Sequence, residues 1–438
     1  MIQHIISSTV SEVQEPAPLK SYELISKELL IEALRKDKGP DVELLSWEII
    51  PFTKKGDNYT SLVVSINVSY RKNDVDSENS YIVKLNPLRP ITFQTEIIEK
   101  SYTRETEVLS GIVGGMNYQL ERLGLDSIRT PKLFSRSLEK GREAYVLEDL
   151  RVQGFKMYDR MKGMDLNHSL LVVKELGRFH ASSLLFEETF SAKSISENLV
   201  YLERPWGNLN EEGLEAFDKM YSSSGEAVGN FLKTSDSKYE KCSNWLLKYA
   251  HKLTQHFLDG YNPSNNQFEV LIHGDCWTNN MLFKYNEDEI PVDFRFVDLQ
   301  FSTRASATTD LNYFFFMSLN GDFRRKNRNT LLTAYYESFS TILKKANKEP
   351  PFSYLELKQE LHDRKIYGLA AVMLILQTIL SQGEDILDMD SFTDDKFDDF
   401  VETQKKTFEK MSKREGPFRD RYIAVFDEML DINLYDQE

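Results

Sequence analysis

His273-Gly274-Asp275-Cys276-Trp277-Thr278-Asn279-Asn280, followed eighteen residues later by Asp298 in Val297-Asp298-Leu299-Gln300, is the stretch on which the fold reading turns. Val270–Ile272 and Phe294–Val297 read as two short strands around a loop. Two adjacent strand ends would then deliver three polar groups. Asp275 is a carboxylate able to accept a hydroxyl proton. Asn280 and Asp298 offer hard oxygens suited to Mg²⁺. Phosphoryl transfer asks for this set: a group that positions the nucleophile, and metal ions that neutralise charge on the transferring phosphoryl. Each piece alone has a plainer explanation, since an Asp after His-Gly serves a turn and a strand-end Asp caps a helix. The combined spacing, H-x-D-x-x-x-x-N followed by a strand and an Asp, is far rarer by chance.

Working outward from this core, the first third of the chain reads as strands. Leu62, Val64, Ile66, Val68 and Tyr70 alternate with more polar neighbours, which predicts a half-buried antiparallel strand. Arg71–Asn79 reads as a hairpin loop and Ser80–Leu85 as the next strand. Lys84 lies inside that otherwise apolar strand, and a buried ammonium needs a partner unless the strand is an edge facing solvent. Glu105, in a helical stretch over Thr92–Ile112, is the best partner, with Glu107 competing. Two residues apart on a helix is about 200°, so only one can face the lysine. Between residues 54 and 61, Asn58 and Ser61 could donate to phosphates; an ordinary polar turn explains them equally well. This loop contains no G-x-G-x-x-G and no P-loop. Ala144–Leu147 is another short strand, ending in Glu148-Asp149-Leu150.

Upstream, residues 1–20 read as a mobile tail and Tyr22–Arg35 as a helix stopped by Gly39-Pro40. Beyond Leu150 the texture turns helical. Asn167–Ser183 is a predicted helix with Leu170, Val173, Gly177 and His180 on one face, and His180 reads as a packed, hydrogen-bonded histidine. Helix resumes from Asp310. The expected division is residues 1–39 as tail and helix, 40–147 as a nucleotide clamp, and 148–438 as a lobe carrying the catalytic loop and substrate region.

These motifs, in this order, resemble the ecdysteroid kinase-like family, relatives of choline kinases and aminoglycoside phosphotransferases. The resemblance rests on Gly56-Asp57-Asn58-Tyr59-Thr60-Ser61, Tyr102-Thr103-Arg104-Glu105, Val146-Leu147-Glu148-Asp149-Leu150 with Gly154-Phe155 and Asp159-Arg160, and Leu176-Gly177-Arg178-Phe179-His180-Ala181-Ser182. It continues through the His273–Asn280 loop, Val297–Gln300 and Asp310-Leu311. It implies an α+β, bilobal protein-kinase-like fold, with a small strand-rich N-lobe and a larger helical C-lobe. It further implies an ATP- and Mg²⁺-dependent kinase acting on a hydroxyl of a small molecule, most readily an ecdysteroid. A xenobiotic hydroxyl, or a binding protein that kept the fold without turnover, are the alternatives. By the resemblance, Asp275 is the catalytic base, and Asn280 and Asp298 are metal ligands. Lys84 holds phosphates and Glu105 orients it. The backbone of Glu148 and Leu150 meets adenine, while His273 and Asp310 brace the catalytic loop. Cys276 stands where some relatives carry an aliphatic residue.

Composition fits this reading. A chain of 438 residues allows two or three folding units. With 54 Lys+Arg against 69 Asp+Glu, the net charge of -15 argues against a nucleic-acid surface. Cys242 and Cys276 are the only cysteines, too few for a disulfide framework, and they predict a reducing, cytoplasmic setting. Met1–Lys20 lacks a signal-peptide pattern, and Ile2 is incompatible with N-myristoylation. The longest apolar stretch, Ile366–Leu380, is shorter than the roughly 20 residues of a membrane span. Many aromatics follow residue 200 (Tyr201, Trp206, Phe217, Tyr221, Tyr313, Phe314, Phe315 and Phe316), and most read as plain core.

Overall fold

The computed structural model describes residues 20–53, 60–90, 92, 95–190, 199–207, 209–262, 266–387, 393–430, 432 and 435. Residues 1–19, and with them nearly all of the expected tail, lie outside this set, as does Asn58.

Strand periodicity builds the first layer. In β2 (Leu62–Lys72), Val64, Ile66 and Val68 turn to one face and are fully buried. Antiparallel pairing with β3 (Val75–Leu85) sets Val64 against Val83 and Val63 against Lys84. Val83 and Leu85 therefore join the buried face, and Lys84 between them is turned to the other. β1 (Val42–Pro51), β4 (Leu133–Ser137) and β5 (Ala144–Glu148) complete a five-stranded antiparallel sheet, ordered β1-β2-β3-β5-β4. Helix α1 (Lys27–Lys38) covers the apolar face with Leu30, Ala33 and Leu34. Ser26 caps it, its side chain accepting from the Leu29 N–H at 3.1 Å.

The sequence reading needs correction in this lobe. Tyr22–Arg35 is not one helix, because the Ser26 cap restarts the chain after a short 3₁₀ turn, Ser21–Leu24. The polar run Arg71–Asn79 is not a loop. Only Asn73 and Asp74 turn, both with positive φ (51° and 62°), and the strands run on either side. Polar side chains mask those strand ends because they stand in water. β1 and β4 were not foreseen.

Helix α2 (Thr95–Glu107) carries Glu105 and continues through a π-helical turn, Val108–Ile112, into α3 (Val113–Arg122). Val108, Ile112, Met116 and Leu120 pack into the large second core, together with Val172, Val173, Leu176 and Phe179 of α4 (Leu166–Glu187). That core is walled by α5 (Glu211–Ser235), α6 (Glu240–Tyr249), α7 (Leu253–Asp259), α8 (Ala307–Ser318) and α9 (Gly321–Lys345). Gly177 is the point where α4 meets the α9 backbone, since a Cβ there would lie 2.6 Å from the Tyr335 carbonyl oxygen. His180 is fully buried and hydrogen-bonded to Asp310 and Tyr335 at 3.2 and 2.9 Å.

The two strands that precede His273–Asn280 and Asp298 are not paired neighbours. β7 (Glu269–Ile272) pairs with β10 (Thr303–Ser306). β9 (Pro291–Phe296) pairs with β8 (Met281–Tyr285), which in turn meets the two-residue β6 (Lys156–Met157). Asp275 and Asp298 thus leave two different small sheets. No described helix is long and apolar enough to cross a membrane.

Candidate active site

One face of the N-terminal sheet and the two motif loops meet at Lys84. Its Nζ donates to Glu105 Oε2 at 2.7 Å and to Asp298 Oδ1 at 2.6 Å. Lys84 is 6% exposed and Glu105 1%. Burial works against the ammonium, but the Asp298 and Glu105 carboxylates outweigh it and hold its pKa above the usual value. Glu107, the competing partner, instead meets Arg136 at 2.7 Å. Tyr145, in register with Lys84 across the sheet, also donates to Glu105 Oε2. Glu105 Oε1 is buried and unpartnered within the described residues.

Asp298 adopts left-handed backbone geometry (φ 67°, ψ 56°), a conformation that few non-glycine residues hold and that clusters at functional sites. Its Oδ2 accepts from Gln300 Nε2 at 3.1 Å, and Gln300 Oε1 accepts from Thr60 at 3.0 Å. Arg104, 1% exposed, ties this loop to α2. It donates to the carbonyls of Gln300 at 2.9 Å and of Tyr201 and Glu203 at 3.0 Å each.

The His273–Asn280 loop is held from beneath by α8. Asp310 takes the backbone N–H of His273 on Oδ2 at 2.7 Å and that of Gly274 on Oδ1 at 2.9 Å. Gly274 has φ +83°, and a Cβ on it would meet the Phe301 carbonyl at 2.2 Å, so only glycine fits there. Burial pushes the His273 imidazole below its ordinary pKa, so the ring is neutral. Its Nε2 donates to the Val297 carbonyl at 3.1 Å and its Nδ1 accepts from the Asp275 N–H at 3.3 Å. His273 thereby joins the Asp275 loop to the strand end before Asp298.

Asp275 itself is only partly exposed. Its Oδ2 accepts from Asn280 Nδ2 at 2.8 Å and its Oδ1 from the Tyr313 hydroxyl at 2.7 Å. Burial, reinforced by the nearby Asp298 charge, pushes its carboxyl up to about 7. Asn280 spends its Nδ2 on Asp275, which leaves the carbonyl oxygen as its hard donor.

At the lobe junction, Asp149 accepts from Ser80 at 2.7 Å and from Arg151. Burial opposes its charge, but Arg151 and Ser80 prevail and hold its carboxyl below the usual range. Arg151 also stacks over the Phe52 ring at 3.9 Å. Glu148 and Leu150 flank this anchor. Ser61 is buried just before β2.

The structure thus brings Lys84, Glu105, Asp298, Asp275, Asn280, His273 and Asp310 together. Tyr145, Gln300, Arg104 and Tyr313 join them without having been singled out by their chemistry. Of these, Arg104 stood in the Tyr102–Glu105 motif and Gln300 in the Val297–Gln300 motif. Tyr313 was visible only as part of an aromatic run, with nothing to separate it from Phe314–Phe316, which are plain core.

The donor set suits Mg²⁺ with a nucleotide. Asn280 and Asp298 supply two hard oxygens, and Lys84 adds a cation at the same point. Among the described residues, no group of three or more His, Cys, Asp or Glu side chains could hold a metal by itself. A two-ligand site of this kind is completed by phosphate oxygens and water, as Mg²⁺ prefers.

An antiparallel N-terminal sheet on a larger helical lobe, with a buried Lys–Glu pair facing two motif loops, defines a kinase-like bilobal protein. The model of the ecdysteroid kinase-like family matches residues 55–348, and the chain belongs to that family. Membership carries a small-molecule, kinase-like phosphotransferase function at the level of the family. No curated protein matches the chain.

Proposed function

We propose that the chain is an ATP-dependent small-molecule O-kinase that phosphorylates a hydroxyl of an ecdysteroid or a similarly lipophilic compound. The observation that carries this reading is the convergence, from separate segments, of two hydrogen-bonded pairs, Lys84–Asp298 and Asn280–Asp275, with the Asp298 charge close enough to act on Asp275. Asp275 takes the proton of the acceptor hydroxyl. A carboxyl raised to about 7 is matched to accepting and releasing a proton near neutral pH. Lys84 steadies the phosphates and Glu105 fixes Lys84. Asn280 and Asp298 hold Mg²⁺, which neutralises charge on the transferring phosphoryl. His273 and Asp310 keep the loop in shape. The backbone of Glu148 and Leu150 meets adenine, while Asn58 and Ser61 belong to the phosphate-covering loop. On this reading, residues 40–147 form the nucleotide clamp, residues 148–438 form the catalytic lobe, and the setting is cytoplasmic.

A lipophilic acceptor rests on the family alone: the cavity of about 160 Å³ between the start of α2 and Phe301 mixes Ile97, Ile98 and Trp206 with Asn86, Arg89 and Glu99, and neither Asp275 nor Asp298 lines it. The test is a panel of ecdysteroids, plant phenolics and hydroxylated amines, incubated with purified protein and Mg²⁺-ATP and read by mass spectrometry. Phosphorylated ecdysteroid, lost in Asp275→Asn, is the expected product. Product from phenolics alone would reassign the acceptor. Nucleotide binding with no product from any acceptor would make the chain a binding protein.

A further inference from the structure

Helix α8 delivers two side chains to the catalytic loop from one face. Asp310 grips the loop backbone, and Tyr313, three residues on and therefore on the same side, reaches the carboxylate. Tyr313 is 3% exposed and its hydroxyl donates to Asp275 Oδ1 at 2.7 Å. That is the contact an acceptor hydroxyl must make before transfer. The other oxygen of the carboxylate is engaged by Asn280.

We propose that Tyr313 is a placeholder for the acceptor hydroxyl, a positioning residue that keeps Asp275 from activating water when no acceptor is bound. This rests on the kinase reading above. Without an acceptor, the competing reaction is hydrolysis. A water oxygen bonds to the γ-phosphorus, the bond from that phosphorus to the bridging oxygen breaks, and ADP leaves with the electron pair. The water proton passes to Asp275 and then to solvent. Water must reach Asp275 for this, and the phenol competes with it by taking one of the two acceptor positions of Oδ1. An acceptor that binds with its hydroxyl at Oδ1 takes over the position, so release of the base is tied to acceptor binding.

The experiment compares acceptor-free Mg²⁺-ATP hydrolysis in wild type, Tyr313→Phe, Tyr313→His and the double variant Tyr313→Phe/Asp275→Asn, with thermal melts to verify folding. Tyr313→Phe removes only the hydroxyl and is expected to raise hydrolysis by about fivefold or more. Tyr313→His, whose shorter ring falls short of Asp275 Oδ1, also loses the contact and is expected to rise with Tyr313→Phe. The double variant is expected to be no faster than wild type, because the exposed base is gone. Hydrolysis in folded Tyr313→Phe at or below the wild-type rate overturns the inference and leaves the kinase reading standing. An increase that survives in the double variant overturns it too, because the water is then activated elsewhere. ATP neither bound nor turned over by any of the proteins overturns the kinase reading, and the inference with it.

Discussion

Replacing Arg104 tests whether α2 is held in place by one buried guanidinium. Arg104→Ala strands three carbonyl oxygens, those of Gln300, Tyr201 and Glu203, which now receive hydrogen bonds of 2.9–3.0 Å. Burial lowers the guanidinium pKa to about 10, so it stays charged at neutral pH. Hydrogen bonds from a charged group contribute about 1.5–3 kcal/mol each, which caps the loss at about 9 kcal/mol. Two of the three bonds lie in part-buried surroundings, where water can take the place of the donor. A loss of about 3–5 kcal/mol is therefore expected, a large fraction of the roughly 5–15 kcal/mol of a typical fold. Arg104→Lys keeps the charge but cannot fork to three acceptors, and should recover only part of the loss. Urea unfolding with a common slope is the assay. Because Glu105 follows Arg104 on α2, kcat/KM should fall as well, by about tenfold for each ~1.4 kcal/mol of lost transition-state stabilisation. A destabilisation below about 1 kcal/mol, with turnover intact, would refute the view that Arg104 locks the helix.

Two further outcomes follow from the geometry. In the metal-free protein, Asp275 has a folded pKa of about 7 against an ordinary value of 3.8. The folded state therefore keeps a proton that the unfolded chain has lost, and stability falls as pH rises from about 4 to 7. The full cost, on the order of 2–4 kcal/mol, is present above pH 7. Asp275→Asn should flatten that slope and equal or exceed wild-type stability at pH 8, as read by urea melts at pH 5 and 8; identical slopes would contradict it. Gly177→Ala should destabilise by about 1–3 kcal/mol, because its Cβ meets α9 backbone atoms at 2.6 and 3.0 Å that cannot swing aside. An unchanged denaturant midpoint would show that the α4–α9 contact is looser than described.

Much of the site was legible because its chemistry is local in sequence. The His273–Asn280 loop, Asp298 and the Lys84–Glu105 pair each carry polar groups where an apolar environment would otherwise be expected, and such groups need a reason. Helical angle says only that one of Glu105 and Glu107 can face Lys84, and packing decides which by giving Glu107 to Arg136. What stayed hidden depends on long-range contacts. The guanidinium of Arg104 reaches carbonyls almost 100 and 200 residues away, and a backbone carbonyl has no sequence signature. Tyr313 sits in an aromatic helix buried all round, where no hydrophobic period marks the residue that faces the loop. β1 and β4 were missed for a different reason. β1 is an edge strand with a largely exposed burial pattern, and β4 is only five residues long, so neither shows a clean alternation.

The central claim is that one cleft transfers the γ-phosphoryl of ATP to an acceptor hydroxyl with Asp275 as the base. Phosphorus NMR of purified wild type and Asp275→Asn, each with Mg²⁺-ATP and the hydroxylated acceptor that binds best, tests it directly. Wild type should convert the γ-phosphate signal into a phosphate monoester on the acceptor, one for each ADP formed, and Asp275→Asn should leave ATP intact while still binding it. A monoester formed equally fast by Asp275→Asn would contradict the account.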